Sequence, residues 1–141
     1  IGYFLIFGMS DFSATPDKPA VLREAMGILD AWAVPFDEQP SLLGLPESLR
    51  RRDYNKYRLG TRRPDDPDVL ERARLICRIH AATLTIFPFS EESANLWVQV
   101  PQRPFGGKSA LDMMRLHGLA GIRQVELAID NQFYPLENVA P

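Results

Sequence analysis

The side chains able to do chemistry are few, and they are scattered. His80 and His117 stand far apart, and neither sits in a metal-binding spacing such as His-x-x-x-His. The single cysteine, Cys77, allows neither an intramolecular disulfide nor a thiolate cluster, which fits a reducing cytoplasm. Gly106-Gly107-Lys108-Ser109 borrows the last letters of a phosphate-binding loop. No earlier glycine and no preceding strand complete it, so it reads as a tight turn followed by a helix cap. Glu91-Glu92 and Asp65-Asp66 fall at expected helix N-termini, where the macrodipole accounts for them. His80 lies on an apolar helical stripe and reads as a hydrogen-bonded core histidine. Nucleophile, base and orienting group do not assemble anywhere. The sequence therefore predicts a protein that is not an enzyme and that holds no metal and no cofactor.

Charge is the feature that stands out. Between residues 46 and 63 lie seven basic side chains, Arg50, Arg51, Arg52, Lys56, Arg58, Arg62 and Arg63, against Glu47 and Asp53, a net of +5. The whole chain carries −2, so everything outside this segment sums to −7. Positive charge gathered on one short helix is the electrostatic signature of a phosphate-backbone contact. The residues before it, Phe36 to Gly44, followed by a helix, resemble a helix-turn-helix with Gly44 in the turn. In that arrangement Arg50, Arg51, Asn55 and Arg58 face the groove, with Arg52 and Lys56 beside them. Pro40 stands where the motif normally has alanine, and Arg50 where it normally buries an aliphatic residue. The alternatives are a solvated helix face and a face that docks on an acidic partner.

The elements that must position these residues read as helices almost throughout. Pro19 to Val34 carries Val21, Leu22, Ala25, Ile28, Leu29 and Trp32 at a helical period, and Pro35 stops it. A short segment from Asp37 to Leu43 ends at Gly44, and another runs from Pro46 to Leu59 and closes at Gly60. Residues 61–68 form a polar linker. Asp66 then caps a long helix with Pro67 in its first position, extending to Phe87 before Pro88. Ser90 caps a helix bearing Leu96 and Trp97, which halts before Pro101. Ser109 and Asp112 have capping-box spacing, opening a helix that ends at Gly118. A last helix carries Leu119, Ile122, Val125 and Ile129. The expected fold is all-α.

At 141 residues, with 45% apolar and 24% charged side chains, the chain suits one domain or two small helical units sharing a core. Residues 1–8, IGYFLIFG, are apolar but far too short to span a bilayer, which takes about 20 residues. They lack the basic start and cleavage site of a secretory signal. They are expected to be expression-derived or to follow from an upstream start, with Met9 as the natural beginning; a short strand or an apolar arm is the alternative. The division expected is a flexible N-terminus over 1–18, a helix-turn-helix-like region over 19–63, a helical domain over 64–132 and a tail over 133–141.

The second half carries a resemblance. Trp97-Val-Gln-Val-Pro101, then Phe105-Gly-Gly-Lys-Ser-Ala-Leu-Asp112, then Gly118-Leu and Ile122-Arg123, resemble the toxin-binding domain of the Xre/MbcA/ParS antitoxins. Leu42-Leu-Gly44 and Glu71-Arg72 also match the usual layout, so the similarity covers about residues 20–132. In physical terms, Trp97 is large enough to anchor a small core and Phe105 closes it at the turn. Gly106 and Gly107 re-aim the chain, and Ser109 and Asp112 fix where the next helix begins. These roles are structural, which leaves partner contact to exposed neighbours such as Lys108, Arg115 and Arg123.

The resemblance implies an antitoxin that silences a RES-type, NAD-consuming toxin by covering its active-site cleft. It further implies a homodimer formed through the C-terminal domain, and repression of its own operon where the helix-turn-helix works. The tail Asn131 to Pro141 is the candidate plug, Phe133, Tyr134 and Leu136 filling an apolar pocket and Glu137 meeting a basic group. A transcriptional regulator whose C-terminal domain only dimerises is the competing expectation.

Overall fold

The computed structural model describes residues 18–131. The expectations placed on residues 1–17 and on the tail lie outside the described residues. Among the described residues every regular element is a helix, as the sequence predicts. In chain order they are α1 (Lys18–Ala31), a 3₁₀ turn (Phe36–Glu38), α2 (Gln39–Leu42), α3 (Arg51–Leu59), α4 (Pro67–Ile86), α5 (Glu91–Trp97), a second 3₁₀ turn (Arg103–Phe105) and α6 (Ala110–Asn131).

The central element is α4, which packs against α1, α5 and α6. Its Val69, Ala73, Leu75, Ile76 and Ile79 are buried, and a single apolar cluster joins them to Leu22, Met26, Leu29 and Trp32 of the first helix and to Met114, Ile122, Val125 and Ile129 of the last. Its start follows from local chemistry. Asp66 accepts a hydrogen bond from the Asp68 amide at 2.9 Å, and Pro67 takes the first position, where its missing N–H costs nothing. Ser90 caps α5 by accepting from the Ser93 amide at 3.1 Å.

Two boundaries differ from the sequence reading. First, α1 stops at Ala31 and not at Val34, because Ala33 takes a left-handed conformation (φ 61°) that turns Val34 back into the core. Second, α3 begins at Arg51 and not at Pro46; residues 46–49 form a turn closed by the Leu49 amide donating to the Pro46 carbonyl at 3.1 Å. The break expected at Gly118 is present: residues 110–131, labelled α6, are two helical segments that meet at a sharp kink there (φ 57°, ψ −133°). That backbone conformation is essentially confined to glycine.

A buried polar network pins the N-terminal helices to one another. Gln39 is almost fully buried; its amide donates to Asp30 at 2.9 Å and to the Val34 carbonyl at 3.1 Å, while its oxygen accepts from the Tyr54 hydroxyl at 2.7 Å. Asp30 also accepts from Arg58 at 2.6 Å. Every polar atom of the Gln39 side chain is thus used, and such networks position elements well because partial satisfaction is costly. Gln39→Leu strands the buried Tyr54 hydroxyl and the Val34 carbonyl. A loss of about 2–4 kcal/mol is expected, at roughly 1–3 kcal/mol per orphaned group, and urea denaturation measures it. Adding Tyr54→Phe to that variant should recover part of the loss.

Candidate functional site

The stretch from Trp97 to Asp112 is a hub of main-chain and amide hydrogen bonds. The Val98 carbonyl accepts from the Leu111 amide at 3.0 Å, anchoring the start of α6. Gln99 donates its side-chain amide to the Trp32 carbonyl at 2.8 Å, and Gln102 donates to the Trp97 carbonyl at 3.3 Å. The Gln102 amide also bonds the Lys108 carbonyl at 3.0 Å, closing the loop in which Gly106 and Gly107 hold positive φ. Trp97 and Phe105 are buried beneath it. Ser109 and Asp112 form the reciprocal box: Ser109 Oγ accepts from the Asp112 amide at 3.1 Å, and Asp112 accepts from the Ser109 amide at 3.4 Å. Those bonds to Ser109, with Arg115 behind them, hold the Asp112 carboxyl below the usual carboxylate range.

Lys108, Arg115 and Arg123 all stand exposed, but on different terms. Lys108 projects from the loop. Arg115 pairs with Glu38 at 2.6 Å and with Asp112 at 3.3 Å, and Arg123 meets Glu71 at 3.4 Å. These pairs are solvent-exposed, so each contributes little to stability, roughly 0–1 kcal/mol, and a partner's charges can replace them. The same helix, α6, also exposes Leu116 and Leu127, 60% and 65% accessible. A groove of about 490 Å³ runs beside Arg115, lined among others by Glu38, Ser41, Arg72, Met114 and Gly118.

Arg72 joins the two halves. It pairs with Asp68 at 3.0 Å and donates to the Ser41 carbonyl at 3.4 Å. A Cβ on Gly44 would stand 2.7 Å from that Asp68 carboxylate, and one on Gly118 would stand 3.5 Å from the Arg72 guanidinium. Two glycine turns far apart in the chain therefore close on one ion pair. The sequence reading noted Glu71-Arg72 as part of a layout but missed what they hold, and it assigned no partner to Glu38 or Gln99. Their partners lie up to 77 positions away, so no local spacing could have signalled them.

The basic segment is only partly presented as expected. Arg50 and Arg52 are exposed, and neither makes an ion pair among the described residues. Arg51 lies over the Phe36 ring at 4.2 Å. Asn55 is half-buried, and Lys56 pairs with Asp53 at 3.2 Å. Arg58 is drawn back onto Asp30 and does not share the outward face of α3 with Arg52 and Lys56. Ahead of this helix, α2 is a single turn of four residues, and residues 43–50 intervene, whereas a helix-turn-helix joins longer helices through about 3–4 residues.

Cys77 and His80 both lie on α4 and are partly buried. The Cys77 thiol is pushed up to about 12 by burial and by Glu24, so it carries no thiolate at neutral pH. Burial lowers the His80 pKa from its ordinary 6.5 against the opposing pull of Glu91, Glu24 and Asn95. The unfolded chain then takes up that proton first. Stability conferred by neutral His80 is full above pH 6.5 and falls as pH drops toward the folded-state pKa. A thermal melt should show a decline below pH 6.5 that is smaller in His80→Gln, distinct from any carboxylate effect below pH 4, where Asp30, Asp53 and Asp112 titrate. No group of three or more metal-ligating side chains forms among the described residues, and no helix there is long and apolar enough to cross a membrane.

The antitoxin Xre/MbcA/ParS C-terminal toxin-binding domain matches residues 83–134, from the end of α4 through α6. The chain is also 33% identical over 125 residues to "Uncharacterized protein y4oB" of Sinorhizobium fredii (strain NBRC 101917 / NGR234), an alignment covering 89% of this chain and 93% of that one. The chain belongs to the Xre/MbcA/ParS antitoxin family, and its place is in a toxin–antitoxin pair with a toxin as partner.

Proposed function

We propose that this protein is a non-enzymatic, cytoplasmic antitoxin that neutralises a RES-type, NAD-consuming toxin by covering its active site, acting as a homodimer through residues 64–132. The observation that carries this reading is the match of the toxin-binding domain to the segment that exposes Lys108, Arg115 and Arg123 together with Leu116 and Leu127. Exposed aliphatic side chains and long cations on one segment suit a protein interface better than a small-molecule site. The tail residues Phe133, Tyr134, Leu136 and Glu137 follow directly on α6 in sequence and supply the plug. Deleting Phe133 to Pro141 should leave the toxin complex formed but release NAD consumption by the purified toxin. Full inhibition by the shortened chain would remove the plug from the account.

A second activity, repression of its own operon by residues 19–63, is favoured by the +5 segment and by the unpaired arginines around α3. An upstream operator duplex is the ligand for that activity. Flat or absent binding to it would sink the reading without touching neutralisation.

A further inference from the structure

Among the side chains that leave apolar surface uncovered, Phe89 is the extreme case, 99% exposed. It directly precedes Ser90, the residue that caps α5. An apolar side chain at that position ordinarily folds over the fourth residue of the helix, here Ala94. Ala94 is fully buried in the core, and Phe89, exposed as it is, does not close over it. The ring therefore gains nothing from the fold of this chain. Leu96 and Val100, each about half exposed, add to the apolar surface. At 3.6 residues per turn, Glu92 and Leu96 lie on the side of α5 away from the buried Ala94, Trp97 and Val98. The winding continues past Trp97, whose carbonyl accepts from the Val100 amide at 3.2 Å, so Val100 falls one turn further along that side. Phe89 stands at its N-terminal end, three residues before Glu92.

A second copy of this chain is a poor occupant for this face. A two-fold contact sets the same patch against itself, so Glu92, with Glu91 beside it, would meet its own counterpart. Both glutamates are exposed, and neither makes an ion pair among the described residues. Like charges brought together across a closed contact oppose it. The area also falls short of a dimer seam. An aromatic side chain supplies about 200 Å², against about 800 Å² per partner in a standard interface. The face suits one anchor within a wider contact, and residues 89–100 lie wholly inside the stretch that matches a toxin-binding domain.

We propose that the outer side of α5 docks on the toxin, with Phe89 entering an apolar pocket and Glu92 meeting a basic side chain at the rim of that pocket. This rests on the antitoxin reading and adds the chemistry of the partner's surface, a pocket that takes a phenyl ring and is edged by Lys or Arg. A rigid aromatic anchor carries a large share of the binding energy, while a rim charge acts mainly on the rate of encounter.

Surface plasmon resonance of the full chain against the purified product of the neighbouring reading frame tests it. Phe89→Ser should melt as the wild type does and should bind about 30-fold more weakly or worse, the effect of losing a hot-spot side chain. Leu59→Ser, at a position also exposed but outside the matched stretch, should bind as the wild type does. Glu92→Gln should slow association at low salt and leave dissociation nearly unchanged. Unchanged affinity in Phe89→Ser would overturn the proposal and leave the antitoxin reading standing. A smaller oligomer by light scattering beside that unchanged affinity would give the face to a second copy. An equal loss in Leu59→Ser would also overturn it, and association unaffected by Glu92→Gln would overturn the basic rim. No binding of the wild-type chain to that product would overturn both the proposal and the antitoxin reading beneath it.

Discussion

Gly121→Ala should cost about 3 kcal/mol or more, the upper end for overpacking a core, and should abolish toxin neutralisation. The kink at Gly118 swings the second half of α6 across the first, so that Gly121 lies against the Met113 carbonyl. A methyl group there would press into that carbonyl oxygen and would stand 3.1 Å from the His117 Cβ. The obstacle is backbone, which cannot rotate away as a flexible side chain would. The kink must open, and Ile122, Val125 and Ile129, all buried on α4, must shift with it. A fall in melting temperature of roughly 10 °C is the expected reading for a chain of this size. An unchanged melt would mean that the two halves of α6 do not cross as described. Gly27→Ala is the control: it adds a methyl in α1 with nothing within 4 Å.

Trp97→Ala should cost about 3–5 kcal/mol, the range for emptying a buried tryptophan site. The indole is buried in one cluster with Val98 and Phe105, and the Trp97 main-chain carbonyl accepts from the Gln102 side-chain amide. Its loss would leave a cavity beneath the Val98–Leu111 hydrogen bond that seats α6. Neutralisation should therefore fail through loss of the fold, with Trp97 assigned a structural role and not a toxin contact in the account proposed above. Trp97→Phe, which keeps a ring in the site, should lose much less stability and retain binding. Equal losses in the two variants would point to a role for the indole itself in meeting the toxin. Calorimetry of each variant, followed by titration with toxin, separates the two outcomes.

What could be read in the sequence was local chemistry. Asp66-Pro67, Ser90 and the Ser109–Asp112 pair each satisfy a helix terminus within three or four residues, and each opens a helix in the structure. Gly60 likewise closes α3 in a left-handed cap. What could not be read was set at long range. Ala33 holds a positive φ because Trp32 and Val34 are both drawn into the core, and alanine carries no sign of that. The start of α3 was misread because Pro46 suits a first helical turn, whereas burial of Leu45 and packing of Leu49 hold 45–49 as a turn. Gly118 was legible as a break; the close approach of Gly121 to the Met113 carbonyl was not. The basic charge of 46–63 was plain, but its assignment side chain by side chain was not, since Arg58 meets an aspartate 28 positions away. The tryptophan–proline–glycine pattern of 97–112 carried the family because it is a densely hydrogen-bonded hub, and for the same reason most of its residues build the fold.

The most direct test is cellular NAD after induction of the neighbouring reading frame, with and without this protein. NAD should collapse when the neighbour is expressed alone and recover when this chain is co-expressed, with recovery lost in Gly121→Ala. Growth arrest and NAD loss that persist beside the wild-type chain, at matched expression of both proteins, would contradict the account.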